Sequence, residues 1–122
     1  LPNLPDRKHG DRYRPTVADA IADTPSPPYV AVIFTSLQTD DLDGYAATAA
    51  RMEELAKEQP GYLGFEGARS DLGIAVSYWA TVDDARAWKA VAEHAAAQHR
   101  GRTQWYADYR VRVATVERDY GP

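Results

Sequence analysis

PGYLGFEGARSDLGIAVSYWAT, residues 60–81, holds two short apolar runs with a turn between them. Residues 74–79 are rich in aromatic and β-branched side chains, residues 62–69 carry Tyr62, Leu63 and Phe65, and Ser70-Asp71-Leu72-Gly73 supplies residues that reverse a chain. The pair reads as a β-hairpin. Both ends are punctuated. Pro60-Gly61 ends a preceding helix, and Thr81 offers a hydroxyl that caps a following one, with Asp83 and Asp84 in its first turn.

Working outward, Tyr45, Ala49, Met52, Leu55 and Ala56 recur at helical spacing, which predicts a helix over about 42–58 with Asp40, Asp41 and Asp43 at its start. Before it, YVAVIFTSL (29–37) reads as a strand. After Thr81 an alanine-dense helix runs to about Arg100, where Gly101 stops it. Trp105-Tyr106 then leads to a last strand over 109–120. The order is β-α-β-β-α-β, an α+β ferredoxin-like fold whose antiparallel sheet carries both helices on one face. In the first strand Tyr29, Ala31, Ile33 and Leu37 alternate with Val30, Val32 and Phe34, and in the last Val111 and Val113 alternate with Ala114 and Val116. Strands apolar on both faces want cover on both, and two helices cover one. A homodimer with sheets packed face to face is therefore expected.

Ahead of Tyr29 the character changes. Six of the eight prolines (Pro2, Pro5, Pro15, Pro25, Pro27, Pro28) fall in the first 28 residues, among mixed charges. Such a stretch buries too little apolar surface to offset its ordering entropy, which predicts an extended arm over 1–28 and one domain over 29–122. One amphipathic turn can form over 16–21, and Tyr13, Val17 and Ile21 give the arm something to bury on its own or a partner subunit. The 122 residues are 44% hydrophobic and 26% charged, as in an ordinary soluble domain. A net charge of −4 and a pI near 5.3 argue against nucleic acid as a partner. No apolar run reaches the ~18–20 residues that cross a bilayer. The first thirty residues hold no apolar leader, so no membrane partner and a cytoplasmic location are expected. Without cysteine, disulfides, thiolate metal sites and cysteine nucleophiles are excluded.

Tyr78-Trp79-Ala80-Thr81 with Asp83, Asp84 and Trp88 following, and Gln59-Pro60-Gly61-Tyr62-Leu63-Gly64-Phe65-Glu66 at the helix-to-strand joint, resemble the antibiotic biosynthesis monooxygenase family. Downstream, Glu93-His94, Ala97-Gln98, Gly101-Arg102, Trp105-Tyr106, Tyr109, Arg112-Val113-Ala114 and Val116-Glu117-Arg118 resemble a bacterial branch of it. The resemblance spans about 29–120 and implies the dimeric α/β-barrel pairing of ferredoxin-like units. It implies a small oxygenase that uses neither flavin nor metal, although similar folds also serve haem-degrading enzymes and cyclases.

Trp88 shares an alanine-rich helix face with Ala85, Ala92, Ala95 and His99, and is expected either to anchor the core or to wall a substrate pocket. In haem-degrading relatives a Trp at the matching position acts with an Asn on the first strand and a His ten residues later. Here Gln98 stands ten residues on, with His99 next to it, and the one asparagine is Asn3. Glutamine does not ligate haem iron as imidazole does, so haem degradation is disfavoured and no cofactor is assigned. His94 and His99 stand five apart, without metal-ligand spacing, and no metal is assigned. His94 and His99 are natural bases for a phenolic or anthrone proton. On an ideal helix they project about 140° apart, which makes His94, close to the Gln98 direction, the base candidate and His99 the reserve. Tyr78, Gln98, Trp105 and Arg112 are the expected substrate contacts, their polar groups being suited to a quinone or phenol oxygen. For Arg112 the competing role is an ion pair with Glu66 or Glu117.

The expected activity is cofactor-independent oxidation of an electron-rich aromatic, polyketide- or quinone-type small molecule by O2. The deprotonated substrate supplies the electrons, and the protein a dry pocket, a base and oxyanion donors. The competing expectation is a non-catalytic dimeric binding module with a filled interior. A continuous cavity touching both Trp88 and His94 favours the enzyme.

Overall fold

A computed structural model describes residues 21–98 and 104–122, without the side chains of 96–98. Tyr13, Val17, most of the turn expected over 16–21, His99 and the Gly101 helix stop lie outside the described residues. The expected hairpin is present: β2 (Tyr62–Arg69) and β3 (Gly73–Trp79) pair antiparallel, and the Ser70 N–H donates to the Leu72 carbonyl across the turn at 3.1 Å. Around it stand β1 (Tyr29–Gln38), α1 (Tyr45–Lys57), α2 (Val82–Gln98) and β4 (Tyr106–Val116). The sheet order is β2-β3-β1-β4 with every neighbouring pair antiparallel, the ferredoxin-like arrangement. Among the described residues no helix is long and apolar enough to cross a membrane.

Register decides which side chains meet. Val30 lies opposite Trp79, Val32 opposite Ser77 and Val113, and Phe34 opposite Ala75 and Val111, so these residues share the face that carries the helices. Trp79 is 0% exposed at its centre, with Val30, Ala56 and Ala85 around it. The Trp88 ring stacks on it at 5.7 Å and 22°, and Tyr62 meets its edge at 5.7 Å. The Trp79 indole N–H, which burial would otherwise leave unsatisfied, donates to the Ser77 hydroxyl at 2.8 Å.

The ends of the elements differ from the sequence reading in two places. α1 begins at Tyr45, after Gly44 with φ 79°, not at 42. The acidic stretch before it serves the entry to β4: the Trp105 indole N–H donates to the Asp43 carbonyl at 2.8 Å, and the Gln104 amide to the Asp41 carboxylate at 3.3 Å. β4 runs from Tyr106 to Val116 rather than over 109–120, because its length is set by pairing with β1. An irregularity between Leu37 and Gln38 admits Tyr106 to the ladder, and Val116 opposite Tyr29 closes it. α2 starts as expected, with the Thr81 hydroxyl accepting the Asp84 N–H at 3.0 Å.

Tyr29, Ala31, Ile33 and Leu37 face the opposite side of the sheet, together with Tyr78, Val76 and Ile74. Residues 21–28, inside the expected arm, lie against one part of this face. The Ala22 N–H donates to Glu66 at 2.9 Å, and the Thr24 hydroxyl to that of Tyr29 at 2.9 Å. The Tyr29 hydroxyl in turn donates to Asp119. Tyr29 and Ala31 are buried there, whereas Leu37 and Ile74 remain 43% and 44% exposed.

Candidate functional site

A cleft of about 1000 Å³ opens between the two helices and the sheet. Its floor is Val32, Phe34 and Ser36 of β1 with Ala75 and Ser77 of β3; Ala49, Met52 and Ala56 of α1 and Ala85, Trp88 and Ala92 of α2 form its walls. The small side chains on the facing helix surfaces leave this space, since alanine fills so little of the gap between a helix and a sheet. Trp88 stands at the junction of core and cleft, one ring face on Trp79.

Toward β4 the lining becomes aromatic and polar. Phe34 meets Tyr106 at 5.2 Å and Tyr109 at 5.5 Å, and Tyr45 packs edge-on against Trp105 at 5.5 Å. Burial, and then a hydrogen bond to the Tyr45 hydroxyl, push the Tyr106 phenol far above its ordinary range, so it remains a neutral donor. At the same end the Arg69 guanidinium donates to the buried Ser36 hydroxyl. Among the described residues no group of three or more His, Cys, Asp or Glu side chains gathers as a metal site.

A family model described as antibiotic biosynthesis monooxygenase matches residues 28–100. The chain belongs to this family.

Outside the family model, the uncharacterized protein YqjZ of Bacillus subtilis is 48% identical over 102 residues, which cover 82% of this chain and 90% of YqjZ. SnoaB of Streptomyces nogalater, a cofactor-independent oxygenase, shares the fold with a TM-score of 0.62 at 14% identity, over 76% of this chain and 97% of SnoaB. NE2512 of Nitrosomonas europaea, a protein of unknown function, does so with a TM-score of 0.61 at 12% identity, over 78% of this chain and 95% of its own.

The structure divides the residues that the sequence singles out in this monooxygenase-family chain. Trp88 and Trp105 both line the cleft. Tyr78 and Arg112 lie on the other side of the sheet: Tyr78 is next to Trp79 and so points away from it, and Arg112 is opposite Ile33. His94 is exposed on α2 and does not line the cleft. Gln98 ends α2 with its side chain not described, and His99 lies beyond the described residues. Glu66, one of the partners considered for Arg112, accepts from Tyr78 at 2.7 Å and from Ala22. Arg69, Ser36 and Tyr45 have no functional role in the sequence reading, yet they gather with Tyr106, one of the tyrosines whose hydroxyl suits a quinone or phenol oxygen, at one end of the cleft.

Burial, and then the Glu66 hydrogen bond, push the Tyr78 phenol up to about 12 from 10.0. The folded state thus holds this proton more tightly than the unfolded chain. The stability it contributes is complete below pH 10 and is lost as pH rises toward 12. Urea midpoints are expected to fall over that window less steeply in Tyr78→Phe than in wild type; parallel curves would detach Tyr78 from the alkaline transition.

Proposed function

We propose that the chain is a cofactor-independent oxygenase whose cleft takes a planar, electron-rich aromatic of the polyketide or quinone type. The observation that carries this reading is the apolar cleft walled by Trp88, which meets the Trp88 half of the expected cavity though not the His94 half; a non-catalytic relic with a filled interior would lack it. With an anthrone, loss of a ring proton gives an electron-rich anion that reacts with O2. One oxygen becomes the new carbonyl, and the other leaves as water with the two methylene hydrogens. The protein's part is to hold the ring against Trp88, exclude water and accommodate the developing negative oxygen. The active form is a homodimer. Leu37 and Ile74, still exposed on the far side of the sheet, meet a second copy's sheet there.

One observation favours a second reading, a binding module that holds the aromatic without oxidising it: His94 stands away from the cleft lining. Oxygen uptake by flavin-free, metal-stripped protein with anthrone-type substrates separates the two. Uptake above the uncatalysed rate is expected, with His94→Ala close to wild type and Trp88→Ala slowed. If His99 is the base, His99→Ala loses ~10²–10⁴-fold. Binding without uptake on any such substrate would support the module, and light scattering at 13.5 kDa rather than twice that mass would remove the dimer.

A further inference from the structure

Arg69 ends β2, yet its guanidinium reaches across β3 to Ser36 on β1. One terminal nitrogen donates to the Ser36 hydroxyl, and the other lies 3.5 Å from the Ser36 carbonyl oxygen. The path crosses Gly73, where a Cβ would stand 2.1 Å from the guanidinium. Glycine at this point lets the side chain lie flat over the strand. Ser36 is 2% exposed, so the anchor is buried while the cation faces the cleft.

Among the described residues the other charged groups that line the cleft are matched. Glu53 faces Lys57 at 3.6 Å, Arg86 faces Asp83 at 3.1 Å and Lys89 faces Glu93 at 3.0 Å. Among the described residues no carboxylate lies within ion-pair distance of Arg69. Its charge acts on the Tyr106 hydroxyl instead. A guanidinium has five N–H donors, and the Ser36 anchor engages only some of them. A fixed cation at the end of an apolar cleft, with donors to spare, suits an anionic oxygen, because charge-assisted bonds are about twice as strong as neutral ones.

We infer that this end of the cleft is an anion subsite, in which Arg69 binds a negatively charged oxygen carried on an aromatic ligand whose rings extend toward Trp88. This rests on the proposal that the cleft holds an aromatic molecule. The test is a matched pair of probes, 2-naphthoate and 2-naphthamide, titrated into the full chain by calorimetry. Wild type is expected to bind the carboxylate about tenfold or more tighter than the amide. Arg69→Met should bring the carboxylate down to the level of the amide and leave the amide unchanged. Gly73→Ala keeps the charge but displaces the guanidinium, and should lose part of the preference; matching urea midpoints would show that its fold is intact. Equal binding of the two probes by wild type would overturn the anion subsite alone. If neither probe binds at millimolar concentration, the aromatic cleft falls with it.

Discussion

Trp79→Ala is expected to lower the unfolding free energy by ~3–5 kcal/mol, the usual cost of deleting a large buried aromatic. Three losses combine at this residue. Its ring is 0% exposed, so the cavity left behind has no solvent to fill it. Trp88 and Tyr62 both use it as a packing surface, so their own burial loosens with it. Ser77, buried beneath it, loses the indole N–H that it accepts. Since domains of this size are stable by only ~5–15 kcal/mol, the variant should be largely unfolded at modest urea. Far-UV circular dichroism against urea is the measurement, because two tryptophans remain and blur a fluorescence readout. Trp88→Ala, with one face on the cleft, should cost less. A Trp79→Ala midpoint within about 1 kcal/mol of wild type would mean that the core is not centred on this ring.

The same residue shows how much could be read from the sequence. The hairpin, the two helices and the order of elements follow from local signals, and each signal acts within a few residues: Pro60-Gly61 ends one helix, Thr81 caps the next, alternation marks the strands. Once Trp79 is placed in the helix-facing core, parity alone sends Tyr78 to the far side of the sheet. Helical spacing likewise turns His94, six residues after Trp88, about 120° away from it. These separations were legible. The start of α1 was not, because the Asp41 and Asp43 that look like helix-starting acids are bound to Gln104 and Trp105, some sixty residues away. Arg69 was hidden for the same reason. Its meaning depends on β3 lying between β2 and β1 with Gly73 opposite Ser36, a register that no short window of sequence contains.

Oxygen uptake by Arg69→Met is expected to fall about 10²–10³-fold near neutral pH, the range found for removing one preorganised donor from a developing oxyanion. Under the proposed oxygenation the substrate must lose a proton before O2 can react, and a guanidinium beside the oxygen stabilises the resulting anion. The sign follows directly. A neighbouring cation holds the bound substrate's pKa down, so the rate rises at lower pH; without the cation the rising limb moves to higher pH. The loss should therefore shrink in alkaline buffer, where solvent removes the proton unaided. Arg69→Lys, a point charge that lacks the flat reach over Gly73 to Ser36, should fall between. Rate–pH profiles of the three proteins with one anthrone-type substrate give the decision. A drop of equal size at every pH, with the inflection unmoved, would assign Arg69 to tying the strand ends together rather than to the substrate's charge.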